Sequence, residues 1–145
     1  MMKGDVMLYG RFQHNIDAKG RLFVPAKLRE KLGIVFIAAA VMDHCVCLYS
    51  MEEWEKLQEG LAQMPMTKAR KLQRYLSANA VDVQVDSQGR ILLPKHLLEY
   101  AGLTKEALVI GAGNRAEIWN PASYEEDMGS MTSEEVEAEF MELGF

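Results

Sequence analysis

Along the chain, short apolar runs with alternating or β-branched character are cut by glycine, proline and aspartate, and two of them lead into stretches with helical spacing. "HNID" (14–17) and "RLFVP" (21–25) flank Ala18-Lys19-Gly20, which predicts strand, tight turn and strand, with Gly20 taking a backbone conformation that other residues resist. Pro25 closes the second strand and opens a helix, "AKLREKL", whose Leu28 and Leu32 share a face and whose end is marked by Gly33. "VFIAAAV" and "CVCLYS" read as two further strands around a turn at Met42-Asp43-His44. Ser50-Met51-Glu52-Glu53 then has the spacing of a capping box, opening a helix through about Met64.

The pattern returns. "HNIDAKGRLFVPAKLREKLG" (14–33) and "VQVDSQGRILLPKHLLEYAG" (83–102) align at an offset of 69 and share seven of twenty residues: Asp17/Asp86, Gly20/Gly89, Arg21/Arg90, Pro25/Pro94, Leu28/Leu97, Glu30/Glu99 and Gly33/Gly102. Chance gives roughly one or two, so the chain contains an internal duplication. The second copy repeats the order with "VDVQVD", a turn at Ser87-Gln88-Gly89, "RILLP", helix "KHLLEYA", "ALVIGAG" and "AEIWN", and Asn120-Pro121 again starts a helix. Tyr49/Trp119 and Trp54/Tyr124 correspond at an offset of 70, implying one inserted residue. Residues 65–79, with Leu72 and Leu76 spaced to pack, predict a helix joining the copies. The expectation is β-β-α-β-β-α twice, linked by a helix.

Units of about fifty to sixty residues would each be marginal alone, since little of their surface can be buried, so the copies should share one core. Interleaving around a pseudo-twofold axis would place both Asp-x-x-Gly-Arg turns at symmetry-related positions of a single barrel. In each turn the aspartate can accept hydrogen bonds from the turn's own backbone or pair with the arginine. Lys19 and Arg21 would then stand on a rigid protrusion.

Composition narrows the classes. Of 145 residues, 49% are hydrophobic and 26% charged, as in a soluble globular protein. No apolar run approaches the ~18 residues of a membrane span, and "MMKGDVMLYG" lacks signal-peptide character, so the expected location is cytoplasmic, without a membrane partner. The net charge of -5 argues at first against a polyanionic partner, yet residues 1–33 hold seven basic against three acidic side chains. Lys68, Arg70, Lys71 and Arg74 extend the basic part. Residues 116–145 carry nine acids against no base, and the tail places Val136, Phe140 and Leu143 at helical spacing, leaving docking, fraying or repulsion of DNA open.

His44-Cys45-x-Cys47 supplies metal-ligand types, but a closed site needs a fourth ligand, and His14 and His96 stand at no recognisable spacing. Both cysteines are expected on one strand face as buried thiols, with neither a disulfide, a metal nor a cofactor. No paired carboxylates, activated nucleophile or phosphate-binding glycine loop is recognisable, which speaks against an enzyme.

"GRFQHNIDAKGRLFVPAKLRE", "QVDSQGRILLPKHLLEYAGL" and "GNRAEIWNP", in this order, resemble the MraZ family, whose members carry two SpoVT/AbrB-type modules; the match covers roughly residues 7–125. The resemblance implies a mainly β fold with helices, the duplicated units forming one AbrB/MazE/MraZ-like double-split, swapped-hairpin β-barrel. It implies a nucleoid-associated transcriptional regulator, a repressor of its own division and cell-wall gene cluster. Such a regulator binds double-stranded promoter DNA at short direct repeats as a ring-like homo-oligomer. The corresponding organisation is an extension at 1–6, a first repeat at 7–64, a linker helix at 65–80, a second repeat at 81–126 and an acidic tail at 127–145. Met7 stands where such proteins usually begin. The family's DNA-binding arginine falls on Arg21, with Lys19 beside it. Arg90 is the secondary reader because Ser87 and Gln88 replace Ala18 and Lys19, and Arg11 is a candidate phosphate contact. Asp17, Gly20, Asp86 and Gly89 are expected to shape the turns. The alternative is an antitoxin-like or structural protein-binding module without specific DNA recognition.

Overall fold

The computed structural model describes residues 7–145, so the extension expected at 1–6 lies outside the described residues. The order is β1 (Arg11–Asn15), β2 (Arg21–Phe23), α1 (Ala26–Leu32), β3 (Val35–Ala40), β4 (Val46–Tyr49), α2 (Met51–Ala62) and α3 (Met66–Asn79). The second copy follows as β5 (Val81–Gln84), β6 (Arg90–Leu92), α4 (Lys95–Tyr100), β7 (Glu106–Gly111), β8 (Ala116–Trp119), α5 (Pro121–Gly129) and α6 (Ser133–Glu142). The β-β-α-β-β-α unit is thus present twice, in a mixed β/α fold. β1 starts earlier than "HNID" suggested and ends at Asn15, because Asp17 leaves the strand to build the turn.

The copies interleave. β1 pairs with β7 and, equivalently, β5 with β3; β2 pairs with β6, and β4 with β8, all antiparallel. The larger sheet runs β1-β7-β8-β4-β3-β5, an order that reads the same backwards when the copies are exchanged, and β2-β6 forms a second small sheet. Registers centre on two self-equivalent pairs, Leu22↔Ile91 and Cys47↔Glu117. The pseudo-twofold axis passes through both.

Registers also refine the alignment. The copies are offset by 69 through β1/β5, by 71 where Phe36↔Val83 mirrors His14↔Ala107, and by 70 at Cys47/Glu117. The second copy has therefore gained two residues between α4 and β7 and lost one in the β7–β8 turn. A single insertion is only their net result.

Both sheets bury one core, in which Leu22 and Ile91 meet Phe36, Val46, Leu48, Val109 and Ile118, with Leu28 and Leu97 pressed in from the first helix of each copy. Each such side chain contributes about 1.5–3 kcal/mol when fully buried. A second cluster unites Cys45, Cys47, Tyr49, Leu108 and Trp119 with Trp54 and Leu57 of α2 and Tyr124 of α5. Its aromatic pairs repeat across the axis, Tyr49–Trp54 at 5.8 Å and Trp119–Tyr124 at 5.5 Å between ring centroids.

Helix starts follow local chemistry. Ser50 Oγ accepts from the Glu53 N–H at 3.2 Å, the first half of the capping box. Among the described residues the second half is absent: one Glu53 oxygen faces Lys56 Nζ at 3.5 Å, and the other is buried without a partner. Asn120 caps α5, with Pro121 at its first position. Asn79, closing α3, accepts from the Ala40 N–H at 2.7 Å and donates to the Ala40 carbonyl at 3.0 Å, tying the linker helix to the end of β3. The acidic tail forms α6, capped by Thr132, and buries no side chain. Among the described residues, no helix is long and apolar enough to cross a membrane.

Candidate nucleic-acid interface

Each duplicated turn is built by its aspartate. Asp17 Oδ1 accepts from the Lys19 N–H at 3.0 Å and the Arg21 N–H at 2.9 Å, while its Oδ2 accepts from Arg21 Nε at 2.6 Å. Asp86 does the same, with Gln88 N and Arg90 N at 2.9 Å and Arg90 Nε at 3.0 Å. Gly20 and Gly89 sit at φ +85° and +81°, the left-handed conformation that an L side chain resists. The Arg21 backbone N–H, above all, holds Asp17 below the usual carboxylate range, opposed by partial burial; Asp86 is lowered in the same way by the Arg90 N–H. Both carboxylates are ionised at neutral pH.

The axis then brings the turns together. Since Arg21 lies opposite Leu92, and Arg90 opposite Phe23, the two arginines stand one residue either side of the Leu22↔Ile91 centre. Arg90 Nη1 lies 3.8 Å from Asp17 Oδ2, so Asp17 sits between both guanidinium groups. Each turn is locked by the other copy: the Gly89 carbonyl accepts from the Val24 N–H at 2.9 Å, and the Gly20 carbonyl from the Leu93 N–H at 3.0 Å. What reading the copies separately suggests are two tips is one composite cluster.

Both arginine side chains are about one-third exposed or less, 34% for Arg21 and 27% for Arg90. Nε of each is held by its own aspartate, which leaves the two Nη groups of Arg21 without a protein partner among the described residues. A planar fork presented this way suits two parallel hydrogen bonds to paired acceptors. Lys19 is exposed at the first turn and its side chain makes no ion pair among the described residues. Arg11 is not drawn in: it pairs with Glu125 of α5 at 2.9 Å and lies over the Tyr124 ring at 5.2 Å.

A cation absent from the sequence candidates stands beside the second turn. Arg29 of α1 donates Nε to the Val24 carbonyl at 2.7 Å and packs over Phe23 at 5.6 Å, and a Cβ on Gly89 would lie 3.4 Å from its Cζ. Across the axis the equivalent position is Leu98, which approaches Gly20 instead. The first turn therefore carries its extra cation, Lys19, on its own loop, and the second meets one from the opposite copy. Only the departure from the repeat, Arg29 against Leu98, marks this in the sequence.

The cysteines lie together as expected, and Glu117 joins them: the two Sγ atoms and a carboxylate oxygen fall within 4.8 Å of one another, all buried. Glu117 was not among the sequence candidates. Its oxygens are taken, Oε1 accepting from Trp119 Nε1 at 2.9 Å and Oε2 from Arg115 Nε at 2.8 Å. Cys47 as neighbour and burial push the Cys45 thiol far up, so it stays protonated and unreactive. His44, once grouped with the cysteines, turns away to stack on Tyr100 at 4.9 Å.

The family profile described as "MraZ protein, putative antitoxin-like" matches residues 7–74 and 76–142. The chain is 42% identical over 142 residues to the transcriptional regulator MraZ of Acetivibrio thermocellus, covering 95% of this chain and 99% of that one. It is 50% identical over 116 residues to the transcriptional regulator MraZ of Heliobacterium modesticaldum, with 79% and 81% covered. Identity to the protein of that name in Caldanaerobacter subterraneus subsp. tengcongensis is 45% over 122 residues, with 83% and 85% covered.

Proposed function

The chain belongs to the MraZ family of transcriptional regulators, and on that premise we propose that it reads promoter DNA through the paired Asp-x-x-Gly-Arg turns. Arg21 is the principal reader: its free Nη groups suit O6 and N7 of guanine in the major groove, a contact worth roughly 1–3 kcal/mol of base discrimination. Arg90 is the second reader. Lys19 and Arg29 meet phosphates flanking the bases, and Arg11 does so only by releasing Glu125. Asp17 and Asp86 hold the arginines in place, and Gly20 and Gly89 hold the turns.

The observation that carries this reading is the meeting of both arginines around Asp17 on the pseudo-twofold axis. A solitary exposed Asp–Arg pair is worth little and would need no partner from the other repeat. From the family resemblance follow the nucleoid location and repression of the division and cell-wall gene cluster that includes the protein's own gene. One chain grips only a few base pairs and has a net charge of -5, so several copies must engage successive direct repeats together. Non-enzymatic action agrees with the relatives' name.

The test is binding by fluorescence anisotropy, across a salt titration, to the gene's own upstream DNA and a scrambled duplex. We expect tight, salt-sensitive binding to the native duplex and a loss of roughly 5- to 150-fold in Arg21→Ala, confined to that duplex. Binding indifferent to sequence and to Arg21 would make the turns scaffold and favour an antitoxin-like, protein-binding role.

A further inference from the structure

Helices α3 and α6 carry opposite charge, and neither spends it among the described residues. α3 holds Lys68, Arg70, Lys71 and Arg74 without an acid, and α6 holds Glu134, Glu135, Glu137, Glu139 and Glu142 without a base. None of these side chains enters an ion pair among the described residues.

Apolar groups accompany the charges in matching order. On α3, Lys68, Lys71, Leu72 and Tyr75 fall at i, i+3, i+4 and i+7 and so share one face, with Leu72 42% and Tyr75 47% exposed. Thr67, Lys68, Lys71 and Leu72 line a shallow depression there. On α6, Val136 and Phe140 continue into Leu143 at i, i+4 and i+7, with Phe140 50% and Leu143 73% exposed. Glu139 and Glu137 flank that stripe on either side. Solvent is a poor final environment for phenylalanine and leucine on a helix that buries nothing of its own.

We infer that the α3 face of one copy receives α6 of a second copy, Phe140 and Leu143 covering Leu72 and Tyr75 while the flanking glutamates meet Lys68 and Lys71. The two surfaces differ, so a copy that gives its α6 to one neighbour can receive another's on its α3, while reciprocal exchange between two copies would stop at a dimer, and the mass distinguishes the two. The inference rests on the reading that copies act together on DNA and names the surfaces that join them.

The test uses the full chain without DNA, its mass followed by light scattering and sedimentation over a range of concentrations, at about 50 mM and about 500 mM salt. Lys68→Glu/Lys71→Glu and Glu137→Lys/Glu139→Lys should each weaken assembly roughly tenfold or more with unchanged circular dichroism, and the four changes combined should restore it to within roughly threefold. A monomeric native chain, reversals that leave the mass unchanged, or a combination that fails to restore assembly would each overturn the inference. So would an α3 reversal that keeps its mass while losing promoter binding in the anisotropy assay, which would make this face a phosphate contact. Arg21→Ala should keep the native mass. An assembled protein blind to promoter sequence would therefore refute the DNA reading and leave this one intact.

Discussion

Two glycines of this chain should respond to alanine with opposite signs. Gly20 sits at φ +85°, where an L residue costs about 1–2 kcal/mol. A Cβ there would lie 3.0 Å from the Leu93 carbonyl oxygen and 3.2 Å from Leu98 Cδ1. The leucine tip can swing aside, but the Leu93 backbone is held by its own N–H donating to the Gly20 carbonyl at 3.0 Å and by Pro94 after it. Crowding of that kind adds about 1–2 kcal/mol. Gly20→Ala should thus destabilise the fold by about 2–4 kcal/mol, out of the ~5–15 kcal/mol usual for a domain. Gly60, inside α2, has nothing within 4 Å of its built Cβ, so Gly60→Ala should stabilise by about 0.5–1 kcal/mol. Urea unfolding followed by far-ultraviolet circular dichroism measures both, with the slope checked for constancy. A Gly20→Ala loss under about 0.5 kcal/mol would mean that the two turns are not locked against each other, and the composite cluster would fall with it.

Two further outcomes are expected. Carbon-detected NMR titration should place Asp17 and Asp86 below the ordinary 3.8. Because folding depresses both values, the stability they add is present above the unfolded value and is lost as pH falls through the folded one; Asp17→Asn should remove its share of that acid sensitivity, and an unshifted titration would refute the bonding described. Glu117→Ala strands Arg115, itself 27% exposed, and the Trp119 N–H, and should cost about 2–4 kcal/mol by thermal unfolding; a loss under about 1 kcal/mol would show the pair to be loosely held.

How far the sequence reveals this structure depends on whether the signal is local or relayed by the axis. The turns are local: aspartate, glycine and arginine four residues apart make their own hydrogen bonds, so both were recognisable at 17–21 and 86–90. Interleaving is inferable from size, because either copy alone would be marginal. The compensating length changes were hidden, since an offset of 70 at Tyr49/Trp119 shows only the net difference. Glu117 beside Cys45 and Cys47, Arg29 beside Gly89 and Glu125 on Arg11 are contacts between distant segments with no periodicity to announce them. The missing half of the capping box has a local cause instead: Lys56, one turn on in the same helix, competes for Glu53.

The pairing of β1 with β7 also bears on how the molecule is made. Strand β1 leaves the ribosome early, but its partner ends at Gly111, so nearly a hundred more residues must be synthesised first. At typical translation rates of roughly 5–20 residues per second this leaves the strand waiting about 5–20 s with open edges. The first copy cannot finish its core for most of that interval, for Leu22 still lacks Ile91. Because the copies are alike, the partner that arrives first in a crowded polysome can be the same segment of a neighbouring nascent chain. For as long as that wait lasts, the fold is open to being entered with the wrong partner.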